Sequence, residues 1–338
     1  MLKEIQMYLC IIFLFAFGIF YELSLEPDCF FFCKPISKQL LIPKDVMSQG
    51  RSIIFLETTD RLIPPPLVLC SVESAARMYP DRPIIFFLKG LGNNTMVDSR
   101  IPALSSLSAL KNVFLFPLQM DILFQDTPLL PWYLQVNTTE EKDWPYISSD
   151  ACRLAMIWKY GGIYMDTDVI SIRPIPEANF LAAQSSQFSS NGILGFQQHQ
   201  QFLWDCMVDF VQNYNGSIWG NQGPLLITRM LKKLCKLSDF ENMVDQRCHN
   251  ISFLHPQRFY PISYQKWEKY YEVWDSEPDF NNSYALHLWN FMNQKKKNVT
   301  TGSNTLAENL FKTYCPATYS TLVQTAQGSY QMPLNKTS

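Results

Sequence analysis

Charged residues are scarce in this 338-residue chain. Asp, Glu, Lys and Arg make up 17% of it, and 30 acidic residues against 28 basic ones leave a net charge of −2. A protein that binds nucleic acid through its phosphates carries a basic excess or a basic stripe. The composition therefore gives no electrostatic reason to expect a nucleic-acid partner, and the short basic run at 295–297 is most simply a solvated loop.

The sequence contains no C-x-x-C motif, which argues against a structural zinc cluster. One cysteine, Cys10, lies in an apolar run near the N-terminus. The other eight permit up to four disulfides in an oxidising compartment, and the spacing leaves 105 pairings open. Local closure predicts only two of them, Cys235 with Cys248 and Cys29 with Cys33. The eight are Cys29, Cys33, Cys70, Cys152, Cys206, Cys235, Cys248 and Cys315.

A small-x-small cleavage site is also missing after the apolar run from Met7 to Tyr21. At ~1.5 Å per residue this run spans about 23 Å, which is short for a membrane helix and suits a thin early-secretory membrane. The sequence thus predicts a cytosolic tail at 1–4, an uncleaved transmembrane signal-anchor at 5–23 and a stem at 24–50. A cleaved signal peptide remains the alternative, and it would also deliver the chain to the lumen.

The charges that flank this run favour a cytosolic N-terminus. We therefore expect a single-pass type II protein of the Golgi membrane with its catalytic domain in the lumen. Seven N-x-[ST] sequons support a lumenal location, because N-glycans are added in the secretory pathway. They begin at Asn93, Asn137, Asn215, Asn250, Asn281, Asn298 and Asn335.

Apolar runs alternate with helical patterns from residue 51 onward, which predicts βαβ units and a mostly parallel sheet in an α/β catalytic domain at 51–317. "PWYL" and the Asn137 sequon are assigned to a long loop. A helix over "SSDACRLAMIWKYGG" is expected to begin at Ser148 or Ser149 and to end at Gly161. The polar tail at 318–338 is expected to be disordered.

A single D-x-D motif, in "KYGGIYMDTDV", follows the short apolar strand "IYM". In open α/β sheets, ligands bind at the carboxyl ends of the strands. Alternation along an extended chain would turn Asp166 and Asp168 to the same side. Two such carboxylates suit Mg²⁺ or Mn²⁺, ions that keep open positions for diphosphate oxygens.

The preceding helix carries Asp150 and Arg153 at i, i+3 spacing, so both lie on one face. One interpretation is a surface ion pair of little energetic value. The other places Asp150 on a ribose hydroxyl and Arg153 on a diphosphate, where the guanidinium fork fits. The pair alone does not decide between them.

The order of Asp150, Arg153, Tyr164, Asp166 and Asp168 resembles the sugar-binding region of retaining glycosyltransferases with the DxD motif. Further matches favour the α1,4-glycosyltransferases of the vertebrate Golgi: "GNQGPLLITRML", "FYPISYQKWEKYYEVWD" and "SYALHLWN". The resemblance covers roughly residues 51–317. It implies a GT-A type, Rossmann-like fold with a mixed sheet, Mn²⁺ (or Mg²⁺) on Asp166 and Asp168, and donor binding by Asp150, Arg153 and Tyr164, with Arg153 also stabilising charge in catalysis.

The same resemblance implies a reaction. N-acetylglucosamine would pass from UDP-GlcNAc in α1,4 linkage to a terminal β-galactose of mucin-type O-glycans, with retention of configuration. The alternative within the family is α1,4-galactosyl transfer to lactosylceramide or a related β-galactoside. No residue can be read from the sequence as a contact to C2 or C4 of the donor sugar, so the residues themselves leave the choice open.

Other residues have two interpretations each. His287, in "YALHLWN", is a candidate third metal ligand or a packed core side chain. The segment 219–224, "WGNQGP", is a donor-closing loop or an ordinary turn. An aromatic series either stacks on sugar faces or forms the core stripe of a helix, and it consists of Trp267, Tyr270, Tyr271 and Trp274.

Two rival functions remain. "IYMDTDV" also fits the signature of haloacid-dehalogenase-type phosphatases, in which the first Asp is a nucleophile and the second a general acid. That fold needs a longer strand before the motif, and only three apolar residues separate Gly162 from Asp166 here. A non-catalytic glycan-binding relative is the other rival, and the intact set of motif residues argues against it.

Overall fold

An eight-stranded mixed sheet forms the centre of the fold. The structure is a computed structural model that describes residues 42–92, 101–276 and 278–329. The strand order of the sheet is β3-β2-β1-β4-β7-β6-β9-β8, and β5 pairs with β10 in a separate two-stranded sheet. The strands are β1 Ile53–Glu57, β2 Ile84–Leu88, β3 Val113–Pro117, β4 Gly162–Met165, β5 Val169–Ser171, β6 Phe180–Ser185, β7 Phe188–Phe196, β8 Gln246–Cys248, β9 Ile251–Leu254 and β10 Ala285–His287.

Both faces of this sheet are covered by apolar side chains. Along β1, Ile53 and Phe55 belong to one buried cluster, whereas Ile54 and Leu56 belong to another. Successive side chains of a strand point to opposite faces, so a strand that is apolar at every position lies between two cores. The predicted α/β class is confirmed.

The prediction of a mostly parallel sheet is confirmed for the first half, but three of the four pairings in the second half are antiparallel, and only β6 pairs in parallel there, with β9. Strands β1 to β4 pair in parallel, but β4 pairs with β7 and β7 with β6 in the antiparallel sense. Only residues 186 and 187 separate β6 from β7. A connection of that length permits a hairpin and excludes the crossover that parallel pairing needs.

Ten α-helices accompany the strands in the described ranges, and 3₁₀ helices lie at Pro256–Arg258, Tyr264–Tyr271 and Asn290–Met292. The α-helices are α1 Pro43–Met47, α2 Pro66–Met78, α3 Pro102–Ser108, α4 Met120–Leu123, α5 Leu129–Gln135, α6 Trp144–Tyr160, α7 Gln201–Gln212, α8 Pro224–Leu234, α9 Leu306–Tyr314 and α10 Pro316–Ser329.

Two local predictions are corrected by these helices. "PWYL" lies in α5 and not in a loop, because Leu129 and Trp132 bury one side of a short helix. Helix α6 begins at Trp144 with a proline in its first turn, so neither predicted serine is its N-cap. Its predicted end is confirmed by Gly161, whose φ of 64° suits glycine.

The chain after Pro316 is helical and not disordered as predicted, at least as far as Ser329. The buried carboxylate of Glu73, on α2, accepts hydrogen bonds from the amides of Ala317 and Thr318 at 2.9 and 2.8 Å. The first amides of a helix have no partner within it, so a carboxylate at this position stabilises the start of α10. A contact between residues so far apart leaves no local signal in the sequence.

Two disulfides are present among the described cysteines. Cys235–Cys248 confirms one prediction, and Cys70–Cys315 joins α2 to the loop between α9 and α10. Cys152 and Cys206 are buried and unpaired. The predicted Cys29–Cys33 pair lies outside the described residues.

The proposed anchor at 5–23 also lies outside them, as do Asn93 and Asn335. Within the described ranges no helix combines the length and apolar character needed to cross a bilayer. Part of the predicted stem is ordered, since α1 places Met47 in the core with no exposed surface.

Candidate active site

The Asp166–Asp168 pair lies at the carboxyl end of β4, as the sequence predicts. Strand β4 ends at Met165, between β1 on one side and β7 on the other. The chain then turns directly into β5, and the amide of Val169 donates to the carbonyl of Asp166 at 3.2 Å. This turn keeps both carboxylates at one edge of the sheet.

Strand β10 brings His287 to the same place. It pairs antiparallel with β5, and His287 lies opposite Val169 in the register. The His287 Nε2 atom is 3.3 Å from Oδ1 of Asp168 and 3.7 Å from Oδ2 of Asp166. One ligand atom from each of the three residues lies within 4.8 Å of the others, so together they form a candidate metal centre.

Each carboxylate has one oxygen held by the protein and the other turned toward His287. Oδ1 of Asp166 accepts from the Tyr164 hydroxyl at 2.6 Å and lies 3.2 Å from Nη1 of Arg153. Oδ2 of Asp168 accepts from the Asn290 amide at 2.8 Å. Contacts of this kind orient the ligands of a metal ion.

The space around Asp166 is available only because residue 192 is glycine. A Cβ atom at Gly192 would lie 2.5 Å from Oδ2 of Asp166 and 3.4 Å from Nε2 of His287. Two carboxylate oxygens suit both Mn²⁺ and Mg²⁺, and an imidazole nitrogen favours Mn²⁺ of the two because Mg²⁺ prefers oxygen ligands. The residues present therefore fit a divalent ion.

Arg153 is buried under this centre and is not part of a surface ion pair. Its side chain is 7% exposed and lies 3.4 Å from Asp150 as well as 3.2 Å from Asp166. Its Nη1 donates to the Asn191 carbonyl at 2.8 Å, and its guanidinium carbon is 4.5 Å from the centroid of the Tyr164 ring. One guanidinium thus joins α6 to β4 and β7 through charge and hydrogen bonds.

Asp150 also lies beside the Arg153 guanidinium, which is shared with Asp166. Oδ1 of Asp150 accepts from the Asn191 side chain at 2.7 Å. Its Oδ2 is so close to the backbone of Gly223 that a Cβ there would lie 2.5 Å away. The segment 219–224 therefore approaches the site directly, which the sequence left open.

Burial and neighbouring charges shift the pKa values of the Asp150 and Asp166 carboxylates in different directions. Burial raises the pKa of Asp150 to about 6, although Arg153 and Asn191 act against the rise. Burial also favours the neutral form of Asp166, but Arg153, His287 and Tyr164 outweigh it, and the pKa of Asp166 lies below its ordinary value. The nearest positive group thus keeps Asp166 ionised.

The pKa of Asp168 lies above its ordinary value because burial outweighs the attraction of His287. Burial lowers the pKa of His287, but Asp168 and Asp166 outweigh burial and raise it. A divalent ion needs the carboxylates ionised and the imidazole neutral, so its binding releases protons from this cluster.

Sequence reasoning missed two site residues, Asn191 and Asn290. Asn191 lies in a run of small polar residues, "SSN", that is buried inside the otherwise apolar β7. A polar run within a buried strand is a signal that could have identified it. Asn290 acts through its backbone amide, for which no side-chain signal exists.

The aromatic series in and just after the Tyr264–Tyr271 helix is mainly structural. Trp267 is 8% exposed and Tyr270 is fully buried, and both belong to a core cluster. Tyr271 and Trp274 pack against that cluster from its partly exposed side. The core-stripe interpretation is therefore correct for the first two residues.

Asp166 and Asp168, at the end of a central strand of the mixed α/β sheet, lie in a stretch that matches a known sugar-binding region, whereas His287 lies beyond that stretch. Residues 65–187 match the family model described as the glycosyltransferase sugar-binding region containing the DXD motif. The protein is an enzyme of the glycosyltransferase class, and the DXD region implies a divalent metal ion and a nucleotide-sugar donor. Neither the phosphatase nor the non-catalytic alternative agrees with this result.

Residues 195–322 match a second model, described as the alpha 1,4-glycosyltransferase conserved region. The chain is 59% identical to the human alpha-1,4-N-acetylglucosaminyltransferase over 97% of both chains. It is 40% identical to the mouse lactosylceramide 4-alpha-galactosyltransferase, over 83% of this chain and 78% of that one. The chain belongs to the α1,4-glycosyltransferase family.

Among solved structures, a galactosyltransferase in complex with donor and acceptor sugar analogues aligns with 77% of this chain and 94% of its own. The sequence identity is 10% and the TM-score is 0.40.

Proposed function

We propose that this enzyme transfers N-acetylglucosamine from UDP-GlcNAc in α1,4 linkage to terminal β-galactose residues of mucin-type O-glycans. The observation that carries the proposal is the near-complete match to the human alpha-1,4-N-acetylglucosaminyltransferase, together with the intact cluster of Asp166, Asp168 and His287. We further propose that the mixed sheet is of the GT-A type.

Asp166, Asp168 and His287 would hold the metal ion, for which we propose Mn²⁺. When bound, the ion supplies positive charge for the diphosphate of the leaving group. Arg153 and Tyr164 hold Oδ1 of Asp166, so that Oδ2 stays turned toward His287. Asp150, Arg153 and Tyr164 are also our candidates for contacts with the donor.

In the reaction, the bond between C1 of the sugar and the diphosphate oxygen breaks, and a bond between C1 and O4 of the acceptor forms on the same face. The acceptor proton passes to the leaving phosphate oxygen, so the products are UDP and the extended glycan. This front-face route needs no nucleophilic carboxylate. The protein contributes chiefly by positioning the acceptor and by stabilising the leaving charge.

We also propose that the chain is a type II protein of the Golgi membrane with a lumenal catalytic domain. All five sequon asparagines in the described ranges are exposed, and they are Asn137, Asn215, Asn250, Asn281 and Asn298. Digestion with an endoglycosidase should lower the apparent mass, and protease added to sealed microsomes should spare all but the N-terminus. An unglycosylated chain, or one digested in sealed vesicles, contradicts this topology.

Donor choice is tested with the full-length enzyme, Mn²⁺ and a β-galactoside acceptor, and the product linkage is read by NMR. GlcNAc carries an N-acetyl group at C2 and an equatorial O4, whereas galactose has a hydroxyl at C2 and an axial O4. A pocket built for the amide leaves its partners unpaired with galactose. We expect kcat/KM for UDP-GlcNAc to exceed that for UDP-Gal by at least ~10-fold.

The opposite preference, with lactosylceramide as acceptor, would assign the enzyme to α1,4-galactosyl transfer. That outcome is the second candidate function because the galactosyltransferases are also relatives. It would leave the candidate metal centre and the topology proposal unchanged.

A further inference from the structure

Three exposed aromatic rings from separate segments meet beside the candidate metal centre. Trp219 and Phe291 stack with ring centroids 4.1 Å apart and planes inclined by 11°. Tyr146 packs edge-on against both, at 5.0 and 5.4 Å. The side chains of Tyr146, Trp219 and Phe291 are 47, 48 and 42% exposed, and we call these three residues the aromatic platform.

Each ring of the platform is connected to the site by a short stretch of chain. Phe291 follows Asn290, whose amide donates to Asp168 at 2.8 Å. Tyr146 lies one turn before Asp150 on α6. Trp219 belongs to the segment whose Gly223 packs against Asp150. The platform is therefore continuous with the site.

The loop that carries Trp219 is held firmly although the ring at its tip is exposed. Gln222 is 3% exposed, donates to the Phe210 carbonyl at 2.6 Å and accepts from the Asn215 amide at 3.2 Å. Arg229 donates to the Asn221 carbonyl at 2.7 Å. Because these contacts already order the loop, less conformational entropy of the loop is lost when a ligand binds the ring.

The chemistry of the platform differs from that of the neighbouring centre. Arg153 and the candidate metal ligands suit the anionic diphosphate of the donor. The platform offers apolar ring surface and a phenol hydroxyl but no charge, which suits a neutral ligand with a flat apolar face. A β-galactose presents such a face through the hydrogens on C3, C4 and C5, and its axial O4 lies on the opposite face.

We propose that the platform is the acceptor subsite, where the C3–C5 face of the terminal galactose stacks on Trp219 and leaves O4 free to attack. This inference rests on the proposed function, because it takes a β-galactoside as the acceptor. Phe291 and Tyr146 support the Trp219 ring from its other face and its edge. Trp219 is then a residue that determines acceptor affinity.

The test compares Trp219→Ala, Trp219→Phe and wild-type enzyme with a Galβ1,3GalNAc acceptor. Loss of the stacking ring should raise the acceptor KM roughly 10-fold or more, whereas the Kd for UDP with Mn²⁺ should change less than about twofold. The phenylalanine variant should recover most of the acceptor affinity. Leu134→Ala, which removes an apolar side chain that is 70% exposed on α5, is the matched control.

Three results would overturn the assignment. An unchanged acceptor KM in Trp219→Ala would show that the aromatic platform does not bind the acceptor. A loss of UDP affinity as large as the loss of acceptor affinity assigns the rings to the donor base. Binding to phosphatidylcholine vesicles that disappears in Trp219→Ala, with acceptor KM unchanged, assigns them to the membrane surface.

Failure of the proposed function is recognisable separately. If the wild-type enzyme transfers galactose and not GlcNAc, the same KM comparison is made with UDP-Gal, and the platform is still tested. If it transfers neither sugar, saturation-transfer NMR of lactose with wild-type and Trp219→Ala protein decides the matter. A contact between lactose and protein that the variant loses supports the subsite, and an equal signal from both proteins rejects it.

Discussion

The guanidinium of Arg153 lies 3.2 Å from Oδ1 of Asp166 and 3.4 Å from Oδ1 of Asp150, in a position that is almost closed to solvent. Its Nη1 also donates to the Asn191 carbonyl. One side chain thus balances two buried carboxylates and fixes the orientation of one candidate metal ligand. Loss of such a group leaves buried charge without a partner.

Arg153→Lys should reduce kcat/KM roughly 10- to 100-fold, because lysine keeps the charge and loses the planar fork, and charge-assisted hydrogen bonds contribute about 1.5–3 kcal/mol each. The rate is measured together with the melting temperature. Arg77→Lys, which alters a half-exposed arginine paired with the buried Glu73 on α2, is the matched control. A lysine variant as active as wild type would show that the Arg153 guanidinium has no role in catalysis.

Asp166→Ala and Asp168→Ala should abolish transfer, because each removes a carboxylate from the candidate metal centre. EDTA should have the same effect on the wild-type enzyme, and added Mn²⁺ should reverse it. An ion that binds the folded state also raises the melting temperature, so Mn²⁺ should stabilise wild type and Asp60→Ala but neither variant. Asp60 is a suitable control because its side chain is 81% exposed. Full activity in EDTA would exclude a catalytic metal.

Tyr164→Phe should weaken Mn²⁺ binding roughly 10-fold, because it deletes only the hydroxyl that holds Oδ1 of Asp166, and groups that orient metal ligands typically contribute 10- to 100-fold in affinity. His287→Ala should weaken binding further, since it removes a candidate ligand. Mn²⁺ titration followed by calorimetry separates the two. Equal affinities for wild type and His287→Ala would return His287 to a packing role.

Acid should destabilise the fold through Glu308, which lies in the first turn of α9. Burial favours the neutral form of Glu308, but hydrogen bonds from Tyr319, Gly302 and Asn304 outweigh it and lower the pKa to about 2 from an ordinary 4.5. Because the folded state binds the proton less readily, this stabilisation is complete above about pH 4.5 and is lost as the pH falls toward 2.

Glu308→Gln should therefore lower the free energy of unfolding by about 1–3 kcal/mol at pH 7. The difference from wild type should shrink in urea melts below pH 4.5. A difference that is the same at pH 7 and pH 3 would show that charge on Glu308 contributes nothing.

The two disulfides should differ in their effect on stability. Cys70–Cys315 closes a sequence separation of 245 residues, and Cys235–Cys248 closes one of 13. Chain entropy predicts about 5.5 kcal/mol for the first and about 3 kcal/mol for the second. Cys70→Ser with Cys315→Ser should lower the denaturation midpoint more than the equivalent change in the other pair, as measured in guanidinium chloride. The reverse order would show that native-state effects dominate.

The sequence by itself determined seven of the ten described strands, five of the ten described α-helices and the place of the DXD motif. These depend on local features: apolar runs such as "IIFLE", a glycine that ends α6, and two aspartates at the end of a buried strand. Local closure likewise predicted Cys235–Cys248. Residues near each other in the chain leave a pattern that propensity and spacing can detect.

Only the tertiary structure decided which distant groups meet. The pairing of β10 with β5 brings His287 to Asp168, and the Asn290 amide reaches the same carboxylate. Glu73 starts a helix in the polar tail that composition predicts to be disordered. Asp150 and Arg153, which their spacing alone would allow as a surface ion pair, are largely buried in the structure, and Arg153 also contacts Asp166. Such contacts depend on how sheets and helices pack, and the free energy of packing is shared among residues that no local pattern connects.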